Sequence, residues 1–280
     1  IKIFKDILNE RIFKDITKKS IFTQKEGLLY CFLNIGWFIG PFLGGLMLEN
    51  FGFVETFGLA TIFYLIALVI SLIIKIKLKK KDRKIIDSNI LKNIKFFIKD
   101  RGLINSYFLG FSSSVWYVLI FTFMPLFLVG AGLSVIWVGI FIATAQLPLI
   151  IIQFKLDWFI KKIGMKKIMT YSFFYLMLVS FILFFYSEIY FAMAILVTTA
   201  IAMAFIEPIR EIYFFKNVKT IDEEKTYPVF HTSFSTGQIF GRLLFAGVLL
   251  ILPNSFLYLT MSLLMGLTVL LTFKLKNYKT

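Results

Sequence analysis

Four polar residues recur along one apolar segment near the carboxyl end of the chain. They are His231, Ser235, Gln238 and Arg242, at spacings of four, three and four residues, which place side chains on one face of an α-helix. Because a guanidinium keeps its proton in almost any environment, an arginine inside an apolar helix marks a candidate functional site. We therefore predict that Ser235, Gln238 and Arg242 line a ligand-binding cavity. His231, nearer the end of the segment, is interpreted as a solvated or capped imidazole, and a proton relay is the alternative.

Other polar or amphipathic residues interrupt further apolar segments and are candidates for the same cavity. They are Asn34, Trp37, Asn105, Ser112, Trp116, Tyr117 and Gln146. The alternative for the serine, glutamine and tyrosine side chains is hydrogen bonding between packed helices, a common role in membranes. The alternative for Arg242 is an interfacial position, from which its long side chain snorkels to the lipid headgroups.

The residue types that catalysis needs are scarce. The chain has one histidine and one cysteine, and its acids, including Glu207, are predicted to lie in loops or at the ends of apolar segments. An enzyme embedded in a membrane would need clustered carboxylates or histidines, so we do not expect an enzyme. With no metal-ligand cluster, phosphate-binding glycine loop or nucleophile triad, no metal and no cofactor are predicted.

The apolar segments themselves are long enough to cross a bilayer. Hydrophobic residues make up 59% of 280 positions and the mean hydropathy is +0.83, well above soluble domains. A helix needs about 20 apolar residues to span the hydrocarbon, and lipid requires each helix to satisfy its own backbone. The sequence thus predicts an all-α polytopic membrane protein with eight spans. They are 27–48, 52–74, 103–128, 134–154, 168–186, 189–206, 227–251 and 255–273.

Basic residues mark one side of the membrane. The net charge is +15, yet the basic clusters separate apolar runs instead of covering a soluble surface, so nucleic acid is excluded as a partner. All 31 Lys and Arg except Arg242 fall in alternate connections, which the positive-inside rule assigns to the cytoplasm. We therefore expect a multi-pass protein of the cytoplasmic membrane with both ends of the chain cytoplasmic. The basic connections are 1–25, 75–102, 155–167, 207–226 and 274–280.

The longest connection, 75–102, combines a lysine cluster with an amphipathic stretch. Lys79, Lys80 and Lys81 are followed by the alternating apolar and basic residues of 90–97. Such segments rest on anionic headgroups, and this is the expected role. A regulatory or protein-binding site is the alternative.

An internal repeat relates the beginning of the chain to its end. Residues 34–40 align with 235–241 at an offset of 201, and Glu10 falls on Glu211 in the same register. The first two and last two spans are thus equivalent parts of two units, as in transporters built from parallel repeats. Four spans of the first unit would then precede Ile1, so we expect a complete protein of twelve spans with about a hundred further residues.

A glycine and proline pattern in the first span narrows the class. Every position of the pattern GxxxGPxxGG is filled, by Gly36, Gly40, Pro41, Gly44 and Gly45. The first span therefore resembles the fifth helix of major facilitator superfamily antiporters, which carries this pattern. The glycines expose backbone on one stripe, where a neighbouring helix can approach closely. Pro41 removes one helical hydrogen bond and bends the helix.

A second motif of this family is degenerate here. The family pattern GxxxDRxGRR would fall on residues 157–167, where Asp157 and Lys161 stand in place of the first glycine and the aspartate. No gating role is therefore transferred to these residues. The resemblance otherwise covers the whole chain and divides it into the end of an amino-terminal bundle (1–75), a linker (76–102) and a carboxy-terminal bundle of six helices (103–280).

The resemblance implies a secondary transporter that works by alternating access. The antiporter pattern favours export of a small organic molecule, with the lipid bilayer as surroundings and protons or another ion as the coupling partner. Uptake of a sugar, metabolite or peptide by the same fold is the first alternative. A membrane-embedded transferase and a membrane protein without transport activity are the others.

Overall fold

The computed structural model describes residues 22–73, 90–276 and 278, and over these ranges every regular element is helical. We number the α-helices in chain order. They are α1 (Phe22–Phe51), α2 (Phe53–Ile73), α3 (Ile90–Lys99), α4 (Arg101–Val118), α5 (Met124–Gly130), α6 (Val135–Gln153), α7 (Leu156–Ile163), α8 (Met165–Phe185), α9 (Ile189–Asn217), α10 (Glu223–Ile251) and α11 (Ser255–Thr272).

Eight spans are confirmed within the described ranges. Seven single helices are long and apolar enough to cross a bilayer, and α4, α5 and the segment between them form the eighth, Arg101–Gly130. The predicted bounds differ from the observed ones by a few residues at most ends. The expected all-helical membrane fold is therefore present.

One predicted boundary is wrong by eleven residues. The sixth span was expected to end at residue 206 and to be followed by a cytoplasmic loop, but α9 continues to Asn217 with Pro208 inside it. The charges of Glu207, Arg210 and Glu211 suggested a loop, whereas in the structure other helices surround these side chains. A helix can keep charged groups inside a membrane when neighbouring helices supply their partners.

A π-helical turn interrupts the third span. Leu119–Phe123 is π-helical, between α4 and α5. Pro125 is the second residue of the next helix and cannot donate a backbone hydrogen bond one turn back. Short π-helical turns frequently occur at functional sites, and the hydropathy pattern, which showed one continuous span, did not predict this one.

The helices pack around α9. It contacts α4, α6 and α8, while α10 lies along α4 and α11 lies along α8. Large side chains such as Leu119, Phe173 and Met203 fill the core between them. On the other side, α1 packs along α6, and α2 follows α1 without burying a residue in the described structure.

The amphipathic stretch of the long connection forms a helix, α3. Phe97 is 2% exposed and packs with Leu103, Phe214 and Phe230, whereas Ile90 and Leu91 are exposed. The lysine cluster 79–81 lies outside the described residues.

Candidate functional site

Three charged residues lie inside α9 within little more than one helical turn. Glu207 is 7% exposed and Glu211 is 4% exposed, and the Arg210 side chain between them is 12% exposed. The expectation that no acid lies inside a span is therefore wrong. We call these three residues the charge cluster.

The guanidinium of Arg210 joins three neighbouring helices. Its Nη1 donates to Ser113 Oγ of α4 at 3.1 Å, and its plane lies over the Phe234 ring of α10, 5.4 Å from the ring centre. Tyr30 of α1 is a side-chain hydrogen-bond partner, and Glu211 Oε1 lies 3.9 Å from Nη2. Tyr227 of α10 is a side-chain hydrogen-bond partner of Glu211, whereas Arg210 Nε has no hydrogen-bond partner among the described residues. The cluster thus retains unused hydrogen-bonding capacity.

A chain of amides connects Glu207 to α1. The Asn34 side-chain amide donates to Gln153 Oε1 at 2.8 Å, and Gln153 Nε2 donates to Glu207 Oε2 at 3.1 Å. Asn34 and Gln153 are 4% and 1% exposed. Since the three residues belong to α1, α6 and α9, a change at Glu207 can be transmitted to α1 through two hydrogen bonds.

Aromatic rings continue from Arg210 along the same side of the bundle. Phe234 contacts Tyr117 edge to face, Tyr117 stacks on Phe121 and Phe121 contacts Trp37, with ring centres 5.4–5.6 Å apart. We call Trp37, Tyr117, Phe121 and Phe234 the aromatic wall. Trp37 remains 47% exposed, so the wall begins at an accessible ring and ends at a buried cation.

The antiporter-like pattern lies at the contact of α1 with α6. A Cβ on Gly139 of α6 would stand 2.6 Å from the Pro41 carbonyl oxygen, and a Cβ on Gly45 would stand 3.2 Å from the Gly139 Cα. The corresponding positions at Gly36, Gly40 and Gly44 have no described heavy atom within 4 Å. The close approach is therefore made by Pro41 and Gly45, one helical position away from the stripe that the sequence suggested.

Two predicted cavity residues join helices. Thr268 of α11 donates to Ser112 Oγ at 2.7 Å, and Trp116 Nε1 donates to Thr199 of α9 at 3.0 Å. Both contacts are hydrogen bonds between helices, which was the alternative considered for Ser112 but not for Trp116. Gln146 is buried, and its amide contacts only a carbonyl of its own helix, at 3.4 Å, among its described side-chain hydrogen bonds.

The polar stripe of α10 lies beside the face that packs on α4. Gly237 and Gly241 form the packed face, and a Cβ at Gly237 would collide with Ser114 Oγ and the Phe111 carbonyl. Ser235 and Gln238 are half-buried next to this face and Arg242 is exposed. Asn105 is separate from them and lines a cavity where three helix ends meet.

The sequence did contain a signal for the charge cluster. Glu207, Arg210 and Glu211 have helical spacing, and apolar residues resume immediately at Ile212 and continue to Phe215. Such helical spacing predicts a continuing helix and not a loop. The interruption by Pro208 and three charges concealed the continuity.

These features define a class of protein: a polytopic helical membrane protein with a buried charge cluster beside an accessible aromatic wall. The sequence matches the model of the Major Facilitator Superfamily over residues 8–218, well over half of the chain. The chain belongs to the Major Facilitator Superfamily and is a secondary transporter. A comparison with curated proteins found no match.

Family membership also bears on the expectation that the protein is not an enzyme. One reason for that expectation was that no span carries paired acids, but Glu207 and Glu211 are two buried acids within one span. Members of the superfamily are transporters, which fits a protein that moves its substrate unchanged.

Proposed function

We propose that this protein exports small organic molecules in exchange for protons, by alternating access. The observation that carries the proposal is that two buried carboxyl groups lie on the same stretch of α9 as one guanidinium, that of Arg210, which is 3.9 Å from Glu211 Oε1 and interacts electrostatically with Glu207. The other features described above support a path for the substrate and a means of coupling.

The charge cluster is unbalanced when all three groups are ionised. Two carboxylates and one guanidinium carry a formal charge of −2 + 1 = −1, and the described structure holds no second cation beside them. A buried charge without a partner is costly. Uptake of one proton removes that cost, and so does the arrival of a cationic ligand. Proton and ligand would thus compete for the same negative charge, which is the requirement for exchange.

The aromatic wall provides the surface on which an organic molecule would bind. Planar side chains make favourable contacts with apolar and cationic organic groups. Since Phe234 contacts both Tyr117 and Arg210, a molecule held against the wall would lie next to the charge cluster. Gln238 and Arg242, farther along α10, extend the proposed substrate path.

The amide chain supplies the mechanical link. Protonation of Glu207 would weaken its acceptance of the hydrogen bond from Gln153, which in turn holds Asn34. Because α1 contacts α6 closely at Pro41 and Gly139, we propose that this interface slides as the transporter alternates between inward-open and outward-open states. The antiporter-like pattern at this interface supports the export direction, and the basic connections support a cytoplasmic position for both ends of the chain.

The test is proton-driven dye movement in everted membrane vesicles, with ethidium as the cationic probe and fluorescein as the anionic one. Acidification of the vesicle lumen should drive accumulation of ethidium by the wild-type protein. Glu207→Gln removes one titratable group and should reduce accumulation at least tenfold. Glu55→Gln removes an exposed carboxylate of α2 and should transport like the wild type.

Each result has a defined consequence. Accumulation by Glu207→Gln at the wild-type rate would exclude Glu207 from coupling. Dye accumulation in right-side-out vesicles and not in everted ones would mean that the protein takes up its substrate instead of exporting it. If a folded protein moves neither dye in response to the pH gradient, the proposed proton-coupled export of such molecules is wrong.

A further inference from the structure

A cavity lies where three helix ends meet. Its volume is about 550 Å³, and its lining includes Arg101 and Asn105 of α4, Tyr213 of α9, and Lys274 and Lys276 after α11. The start of α4 and the ends of α9 and α11 lie at the same end of the bundle. In the proposed orientation this is the cytoplasmic end.

Hydrogen bonds hold the wall of this cavity in place. The Lys276 backbone N–H donates to the Tyr213 hydroxyl at 3.2 Å, and the Tyr278 hydroxyl donates to Asn217 Oδ1 at 2.8 Å. The Asn217 side chain in turn donates to the Tyr213 carbonyl at 2.8 Å. The segment that carries the two lysines is therefore attached to the end of α9.

The cavity has an excess of positive charge. Arg101, Lys274 and Lys276 form no ion pair with any residue that the structure describes. The nearest acid along the chain, Asp100, caps α4 by accepting from the N–H groups of Gly102 and Leu103 at 2.7 and 3.2 Å. Three cations with one nearby carboxylate make a site that favours an anion.

The neighbouring helix α3 is built to lie on a lipid surface. Ile90, Leu91 and Ile98 are 59–70% exposed, while Lys95 and Lys99 supply positive charge on the same short helix. Amphipathic helices of this composition lie at the boundary between headgroups and acyl chains. Since only Asp100 separates the end of α3 at Lys99 from the start of α4 at Arg101, the cavity would open near the depth of the headgroups.

We infer that this cavity binds the phosphate headgroup of an anionic phospholipid. The Arg101 guanidinium can present two parallel N–H groups to phosphate oxygens, and the two lysines add charge where the headgroup would sit. A lipid is favoured over a soluble anion because α3, which exposes Ile90, Leu91 and Ile98, is joined to Arg101 through one residue, Asp100, so acyl chains below a headgroup in the cavity would meet its apolar side chains. Basic pockets between membrane helices are known to hold such headgroups.

Binding of dioctanoyl-phosphatidylglycerol to the purified, detergent-solubilised protein tests this inference, with dioctanoyl-phosphatidylcholine as the zwitterionic comparison. The wild-type protein should prefer the anionic lipid. Lys274→Gln/Lys276→Gln should weaken that binding at least tenfold, since each basic residue near an anionic surface contributes several-fold in affinity. Arg101→Gln, on a different helix, should weaken it several-fold without disturbing the segment after α11.

The matched control is Lys161→Gln/Lys162→Gln, which removes two basic residues from α7 outside the cavity, and it should bind like the wild type. Equal affinity for the two lipids would overturn the inference. So would unchanged binding in both cavity variants. Displacement of the anionic lipid by inorganic phosphate at millimolar concentration would assign the site to a soluble anion and overturn the lipid assignment.

Discussion

The carbonyl oxygen of Pro41 lies 2.6 Å from the point where a Cβ on Gly139 would stand. Both partners are backbone groups of membrane-spanning helices, so neither can move aside as the end of a flexible side chain would. At this point the backbones of α1 and α6 are in close contact. The neighbouring helix α1 therefore leaves no room at position 139 for a side chain larger than that of glycine.

Gly139→Ala should therefore separate α1 from α6. We expect a loss of about 1–3 kcal/mol in stability, the usual cost of forcing one methyl group into a packed interface, together with a severe transport defect. Thermal unfolding of the purified protein and the vesicle transport assay measure the two effects. Gly247→Ala is the control, since a Cβ there has no described atom within 4 Å. Equal behaviour of the two variants would contradict the proposed packing.

Arg210 should be important for folding as well as for transport. Arg210→Gln leaves two buried acids without their guanidinium and is expected to cost about 3–5 kcal/mol. Arg210→Gln/Glu211→Gln, which also removes one carboxylate, should recover part of the loss. Thermal unfolding measures both. The control is Lys161→Gln, which breaks the exposed 2.6 Å ion pair with Asp157 and should lower the free energy of unfolding by about 0.5 kcal/mol or less. An equally small loss for Arg210→Gln would mean that the charge cluster is not electrostatically coupled.

Arg242 lies within the span formed by α10, and its role as a cavity residue is a proposal. It is exposed in the described structure and lies nine residues before the end of α10, roughly 14 Å along the helix. Arg242→Gln should abolish most transport, while Arg242→Lys, which keeps the charge but loses the planar fork, should retain part of it. Dye accumulation at matched expression is the measurement. Normal transport by Arg242→Gln would leave snorkelling to headgroups as its role.

Accessibility to a membrane-impermeant thiol reagent tests the proposed orientation. With Cys31 replaced, single cysteines at Gly130 and Asn254 should react in intact cells. Cysteines at Lys276 and at Lys80, which lies outside the described residues, should react only after permeabilisation. The reason is that basic connections remain in the cytoplasm. Labelling of Lys80→Cys in intact cells would contradict the predicted arrangement of spans.

Some of the polar residues join helices, so substituting them would affect folding as well as transport. Ser112 and Trp116, expected in a cavity, hydrogen-bond to Thr268 and Thr199 of neighbouring helices. Variants at these positions should lower stability along with transport. Glu207 and Arg242 are better positions for distinguishing coupling from packing.

By itself, the sequence determined that the described part of the chain is helical, that it holds eight segments long and apolar enough to cross a membrane, and which superfamily it resembles. Those properties follow from the length of apolar runs and from a local glycine and proline pattern, both of which are read along the chain. The end of α9 was missed because Glu207, Arg210 and Glu211 resemble a loop when only their neighbours in sequence are considered.

Only the tertiary structure decided which polar residues work together. Asn34, Gln153 and Glu207 are distant in sequence, and their hydrogen bonds exist because α1, α6 and α9 pack side by side. The same packing places the Phe234 ring over Arg210 and moves the close contact of α1 from its glycine stripe to Pro41 and Gly45. The physical reason is that hydropathy decides whether a helix enters the membrane, whereas its rotation and its partners depend on the shapes and polar groups of the helices around it.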